Sequence, residues 1–197
     1  MKLYWAKQTR ASRAVWLLEE AGVDYEIETV DLRADDRSDS PEFLAASPLG
    51  KVPALVDGDV AMADSAAICL YVADRYAPGR LAPAIDDPRR GAFLFWLLYT
   101  PAAVEPAMSE KFHGLEPNRS RNAWGTFDLM LDTLTARLAD RQWVMGDDFT
   151  AADVMLGSAA NFMRMFGMLD EQPVLDAYAD RCLARPASQK ARALETA

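Results

Sequence analysis

Ser47-Pro48-Leu49-Gly50-Lys51-Val52-Pro53, followed by Asp64-Ser65, is the stretch on which the reading of this chain turns. Pro48 and Gly50 punctuate a turn, and Pro53 opens the apolar run Ala54-Leu55-Val56. Proline is tolerated at the first residue of a strand, where its missing N–H is not needed by the ladder. A cis Val52–Pro53 bond would turn the N–H and carbonyl of Val52 away from the sheet, free to bind something extended. Asp64-Ser65 precedes an apolar segment from Ala66 to Tyr76. Such a pair caps a helix, and the helix N-terminus attracts a carboxylate. Lys51 adds a cation. The plainer reading of the same residues is a tight turn followed by an ordinary helix cap.

Working outward, Ala54-Leu55-Val56 and Val60-Ala61-Met62 flank Asp57-Gly58, a strong hairpin signal. Upstream, Leu3-Tyr4-Trp5 reads as a short strand. Ser12 to Ala21 reads as a helix, with Ala14, Val15, Leu18 and Ala21 at helical spacing and Gly22 placed for a left-handed cap. Val23, Tyr25, Ile27 and Thr29 alternate with Asp24, Glu26 and Glu28, the pattern of a half-buried strand. Asp35 to Ser40 reads as a charged, solvated loop, and Pro41 to Ala45 as a short helix. Residues 1–77 therefore spell β-α-β-α-β-β-α, an α/β domain with a parallel pair and an antiparallel hairpin in one sheet.

Downstream, Pro78, Gly79, Pro83 and Pro88 mark residues 78–87 as a linker. Residues 88–197 read as all helical. Arg89 to Phe112 is expected to be one long helix, bent or broken near Pro101 and Pro106. Pro117 to Asp140 is expected to be a second, with Trp124, Phe127, Leu131, Leu134 and Leu138 on one stripe. Thr150-Ala151-Ala152-Asp153 has the form of a capping box, Asp standing where Glu is usual, and opens a Met-rich helix ended by Gly167. Pro173 to Leu183 and Pro186 to Leu194 are shorter helices.

Composition narrows the function. The 197 residues are 51% hydrophobic and 26% charged, the balance of a globular protein. A net charge of −9 argues against a nucleic-acid partner, because phosphate contacts need a basic face. Cys69 and Cys182 make no disulfide framework, and the single histidine, His113, leaves no zinc-ligand set. The segment Met1 to Arg10, with Lys2, Lys7 and Arg10, is not the pattern of a signal peptide. The most apolar run, Phe93 to Val104, is interrupted by Pro101 and too short for a bilayer. A soluble, cytoplasmic protein without membrane association is expected.

Taken together, four segments resemble the cytosolic glutathione S-transferase family across nearly the whole chain. Trp16-Leu17-Leu18-Glu19-Glu20-Ala21-Gly22 resembles its first helix. Ser47 to Pro53 resembles its loop before the cis-proline, and Asp64-Ser65 its acidic–serine pair. Gly146 to Asp153 resembles the capping segment of its helical domain. The resemblance implies a thioredoxin-like N-terminal domain, an all-α C-terminal helical bundle and a homodimer. It also implies a glutathione site. Val52, held by Pro53, would pair its backbone with the cysteinyl part of the tripeptide. Ser65 would take the γ-glutamyl carboxylate, Asp64 the ammonium, and Lys51 is a candidate for the glycyl carboxylate.

The chemistry implied by the resemblance needs a thiolate, yet a free thiol ionises with a pKa of about 8.5. A hydroxyl donor, a cation or a helix N-terminus aimed at the sulfur lowers that value. Alignment with the family on Val15 and Glu19-Glu20 puts Thr9 where several classes carry a catalytic Ser. The same alignment puts Arg10 where a cysteine-bearing class has its Cys. Ser12 is the other nearby hydroxyl and also suits a helix cap. Tyr4 lies inside the strand and matches the tyrosine-using classes poorly. Cys69 reads as a core residue. The pattern thus resembles a bacterial-type, hydroxyl-donor class rather than a cysteine-bearing one.

In the family a hydrophobic electrophile binds between the two domains. The candidates here are Trp5 and Ala6 from the first loop, and Tyr99, Met108, Phe112 and His113 from the kinked helix. The expected activity is conjugation of glutathione, a co-substrate, to hydrophobic electrophiles, with no other cofactor and no metal. The alternatives are a glutathione-dependent peroxidase or disulfide reductase, and a non-catalytic binding or stress-regulatory protein of the same fold.

Overall fold

The computed structural model describes residues 1–34 and 39–196. Residues 35–38, most of the expected charged loop, lie outside the described residues. The chain forms two compact units. Unit 1 comprises Met1–Pro78 with Pro186–Ala197, and unit 2 comprises Gly79–Arg185.

Unit 1 is built on a four-stranded sheet of order β2-β1-β3-β4. Its strands are β1 (Lys2–Trp5), β2 (Glu26–Thr29), β3 (Ala54–Asp57) and β4 (Val60–Ala63). β1 runs parallel to β2, joined by the βαβ crossover, and antiparallel to β3, which the hairpin pairs in turn with β4. The register pairs Leu3 with Ile27 and Leu55, and Tyr4 with Ala54. Successive side chains in a strand face opposite ways. Tyr4 and Ala54 therefore meet Phe43 and Ala46 of α2 (Pro41–Ala46) on one face. The Tyr4 and Phe43 rings lie 4.9 Å apart. Leu3 and Leu55 point the other way and are buried. α1 (Ala11–Ala21) packs against β1 and α3 (Ser65–Tyr76). Each fully buried Leu, Ile or Val in this layer stabilises the unit by about 1.5–3 kcal/mol.

Two strand expectations need correction. The alternation over residues 23–29 predicts a half-buried strand, but β2 holds only Glu26–Thr29 and all four residues are exposed. Val23 belongs instead to the end of α1: its N–H and that of Gly22 both reach the Leu18 carbonyl, with Gly22 at φ 71°. Tyr25 turns onto α1, its hydroxyl donating to Glu19 at 3.0 Å. The hairpin turn is Gly58-Asp59, because Asp57 still pairs with Val60 in the ladder.

The unit boundaries also differ from 1–77, 78–87 and 88–197. The last helix, α9 (Pro186–Ala193), packs on α1 and so completes unit 1. Ala187, Ser188 and Ala191 are its buried stripe. The expected linker from Gly79 onward is part of unit 2, since Leu81 and Ala82 are buried and the Leu81 carbonyl accepts the Ala151 N–H at 2.8 Å.

Unit 2 is helical. The expected long helix is divided into α4 (Arg90–Tyr99), a π-helical turn at Thr100–Val104 and α5 (Glu105–Phe112). The two prolines explain the division. Neither Pro101 nor Pro106 has an N–H to give to the preceding turn, and the Glu105 N–H reaches back five residues to Thr100. The expected helix over 117–140 is shorter: α6 spans Phe127–Leu138. Asn118 instead closes a turn, its side chain accepting from Arg121 N–H and Ser120 hydroxyl. Gly125 then takes φ 74°, and Thr126 caps the helix by accepting from the Leu129 N–H at 3.2 Å. Trp124 is therefore outside the helix, while Phe127, Leu131, Leu134 and Leu138 form its buried stripe. α7 (Ala151–Met165) starts at a complete Thr150–Asp153 capping box and packs on α8 (Pro173–Leu183). No described helix is long and apolar enough to cross a membrane.

Candidate functional site

The Val52–Pro53 bond is cis. The loop before it is built by Ser47, a buried residue with two tasks. Its carbonyl accepts the Gly50 N–H at 2.8 Å, closing a turn that Gly50 permits at φ 60°. Its hydroxyl donates to the Lys51 carbonyl at 2.7 Å and accepts the Lys51 N–H at 3.0 Å. One side chain thus holds both ends of the Lys51 backbone. Val52 follows, half-buried, its side chain packed against the Tyr4–Phe43 cluster. Among the described residues, nothing pairs with its backbone N–H or carbonyl. The Lys51 side chain is exposed.

Asp64 is the N-cap of α3, and its Oδ1 accepts the N–H groups of Ala66 at 2.8 Å and Ala67 at 3.1 Å. It does so at φ 77°, a conformation that costs a non-glycine residue on the order of 1 kcal/mol. Strain of this kind concentrates at functional sites. Ser65, 5% exposed, is the first residue of α3, where the helix dipole favours an anion. The Ala54–Ala63 pairing thus places the unpaired peptide of Val52 and the helix start at Ser65 at the same end of the hairpin.

The loop between β1 and α1 carries the three activating candidates. The Thr9 hydroxyl donates to the Ala6 carbonyl at 2.7 Å and accepts the Ala11 N–H at 3.2 Å. The Ser12 hydroxyl donates to the Thr9 carbonyl at 3.1 Å. Both hydroxyl protons are therefore engaged by backbone carbonyls of the same turn. Ser12 lies inside α1 and is not its N-cap, a position that Arg10 takes, because its hydroxyl donates back to the turn and accepts no N–H of the helix start. Arg10 occupies the N-cap position of α1 without a side-chain cap, and is exposed. Cys69 is wholly buried in α3 and burial pushes its thiol up to about 12, so it is a core residue and no source of thiolate. Among the described residues no cluster of His, Cys, Asp or Glu could hold a metal ion.

Of the electrophile candidates, Trp5 and Ala6 lie in unit 1 and are buried. Tyr99, Met108, Phe112 and His113 lie in unit 2. Tyr99 packs in a ring cluster with Phe95 and Trp96, and its hydroxyl is spent on the Met130 carbonyl at 3.0 Å. Met108 is half-buried. Phe112 is 68% exposed, its ring 5.4 Å from His113 and 6.5 Å from Phe166. His113 Nδ1 lies 2.8 Å from the Ser109 carbonyl and donates to it, since a carbonyl can only accept. Phe162, stacked 6.3 Å from Phe166, joins the same exposed aromatic face. The sequence reading misses Phe162 and Phe166 because only tertiary folding brings Phe166, with Phe162 stacked on it, to the ring of Phe112.

Comparison with known proteins agrees with this architecture. The N-terminal and C-terminal domain families of glutathione S-transferase match residues 9–75 and 101–181. A glutathione S-transferase of Hyoscyamus muticus is 30% identical, with 97% of this chain and 97% of that protein covered. Among solved structures, a sphingomonad glutathione S-transferase complexed with glutathione superposes with a TM-score of 0.81 at 31% identity, over 100% of this chain and 99% of that one. The ternary complex of BphK, a bacterial enzyme of the same kind, gives a TM-score of 0.83 at 26% identity, with both chains covered in full. The protein belongs to the glutathione S-transferase family. Unit 1 holds its thioredoxin-like domain together with α9, and unit 2 supplies its helical bundle.

Proposed function

We propose that the protein conjugates the thiolate of glutathione to hydrophobic electrophilic small molecules. The observation that carries this reading is the unpaired backbone of Val52 at the cis corner, beside the strained Asp64 cap and Ser65. An extended tripeptide adds to that edge as a short strand, cysteinyl N–H and carbonyl pairing with Val52. Its γ-glutamyl carboxylate sits at Ser65 and the start of α3, its ammonium faces Asp64, and its glycyl carboxylate faces Lys51. Charge complementarity supports the assignment: two carboxylates and one ammonium meet a helix start, a lysine and a carboxylate.

Activation falls to the Thr9-Arg10 turn. The Thr9 hydroxyl can stabilise a thiolate by rotating from the Ala6 carbonyl to the sulfur, and the Arg10 guanidinium can supply the compensating charge. The thiol proton leaves to solvent, and the sulfur lone pair forms the new carbon–sulfur bond as the electrophile's leaving group departs or its double bond takes up the electrons. Met108, Phe112 and His113, with Phe162 and Phe166, offer an adaptable apolar surface to the second substrate. In this reading the protein acts in the cytoplasm as a homodimer.

Retention on immobilised glutathione, followed by turnover of a general aromatic electrophile, tests the proposal. Absence of retention sinks the site assignment and the enzymatic reading together. One observation favours a second reading, a non-catalytic glutathione-binding protein. Both hydroxyl protons of the turn are bound to carbonyls. Retention without turnover of aromatic electrophiles, peroxides or mixed disulfides is the outcome that selects it.

A further inference from the structure

The turn that carries Thr9 is held from an unexpected direction. Gln8 adopts φ 58°, the left-handed region that a residue with a Cβ enters at a cost. Two groups meet it there. Its backbone N–H donates to Oε2 of Glu195, a residue 187 positions further along the chain. Its side-chain Oε1 accepts from Arg33 Nη2 at 3.1 Å. Glu195 lies in the turn that follows α9, fixed by its own N–H to the Arg192 carbonyl at 3.1 Å. α9 is in turn docked on α1, where Lys190 Nζ reaches Glu19 Oε2 at 2.9 Å. The other oxygen of the carboxylate, Oε1, is buried without a hydrogen-bond partner. A carboxylate placed so gives up hydration for one charge-assisted bond to a strained peptide.

We infer that Glu195 is a positioning residue of the active site. It pins Gln8 in its left-handed conformation, and so sets the direction in which the next residues, Thr9 and Arg10, present themselves to a bound thiol. The connection is short. The Thr9 hydroxyl closes the turn onto Ala6 across Gln8, so rotation at Gln8 moves the Thr9 end of that bond relative to the Ala6 end. The inference rests on the Thr9-Arg10 turn being the activating element. Glutathione's own anchors at Val52 and Ser65 are on other elements and do not depend on the clamp.

The test uses the full chain with E195A, E195Q and E195D. In E195A the N–H of Gln8 loses its acceptor, and amide exchange at Gln8 and Thr9, read in the ligand-free protein, accelerates about tenfold or more. With glutathione bound, the thiol titrates at higher pH and kcat falls about tenfold, while KM for glutathione stays within about twofold. E195Q keeps an oxygen at the same reach and restores most of both. E195D, one methylene short, behaves like E195A and serves where E195A does not fold. Faster exchange with an unmoved thiol titration and an unmoved kcat overturns the positioning role. Unchanged exchange overturns the clamp itself. The exchange measurement needs no glutathione, so failure of the clamp is distinguished from failure of the enzymatic reading.

Discussion

The phenol of Tyr178 donates a hydrogen bond to Oδ1 of Asp153 at 2.9 Å, wholly inside unit 2. The same oxygen accepts the Val144 N–H at 2.8 Å. The other carboxylate oxygen accepts the Thr150 N–H at 2.9 Å and its hydroxyl at 3.1 Å. The capping box of α7 is therefore the centre of a buried polar network that ties α8 and the loop before α7 to one carboxylate. Burial pushes Asp153 up to about 6, against the pull of all four donors.

This gives a pH signature with a definite sign. The folded value, about 6, lies above the unfolded one, about 4, so the native state binds the proton more tightly between them. The contribution is present at low pH and is lost as pH rises through about 6. It amounts to about 3 kcal/mol at full extent. Urea melts from pH 4 to 7 should show this downward slope in the wild type and a flatter one in Asp153→Asn. Equal slopes would remove Asp153 as its source.

Tyr178→Phe takes away one donor and leaves the helix packing nearly intact. The loss should be about 1.5–3 kcal/mol at pH 7, where the bond serves a charge. It should shrink at pH 5, where the acid is largely protonated. A loss of the same size at both values would mean that ring packing, not the hydroxyl, is what the mutation removes.

Ser47→Ala deletes the brace across Lys51 without touching any ligand directly. The bonds it makes to the N–H and the carbonyl of Lys51 predict a stability loss of about 1–2 kcal/mol. The Kd for glutathione should rise severalfold, because Val52 is carried on the same loop. Calorimetric titration decides; an unaltered Kd would place the loop's order elsewhere.

Ser65→Ala and Thr9→Ala should separate binding from activation. The first should weaken glutathione binding about tenfold, the worth of one charge-assisted bond, with the chemical step less affected. The second should leave binding near normal and raise the pH at which the bound thiol ionises, read by thiolate absorbance. If Thr9→Ala titrates like the wild type while an Arg10 variant does not, the activating role passes to Arg10.

What could be read from the sequence was what is encoded locally. Gly22, the Thr150–Asp153 box, the Pro101 and Pro106 break and the hairpin at Gly58 each act through neighbours within a few residues, so spacing reveals them. The turn chemistry of residues 47–53 and the cap at Asp64 were legible for the same reason. Over 117–140 the turn residues Asn118 and Gly125 outweigh the apolar stripe, which holds only from Phe127 to Leu138, after its own cap at Thr126. The exposure of β2 was hidden because alternation reports a pattern, not whether anything covers it. The Ser47 brace depends on a side-chain rotamer, and the contacts of Phe112 with Phe166 and of Glu195 with Gln8 join residues far apart in sequence. No spacing rule reaches those.

The docking of α9 on α1 also dictates an order of events during synthesis. Unit 1 takes residues from both sides of Gly79–Arg185, so Met1–Pro78 is made before that segment and Pro186–Ala197 after it. The helical unit can fold as a continuous segment while the sheet waits for its closing helix. The half of the protein that holds the Val52 corner is therefore finished only after the other half exists, so a chain released early would carry a sheet without its last helix and without the carboxylate that reaches Gln8.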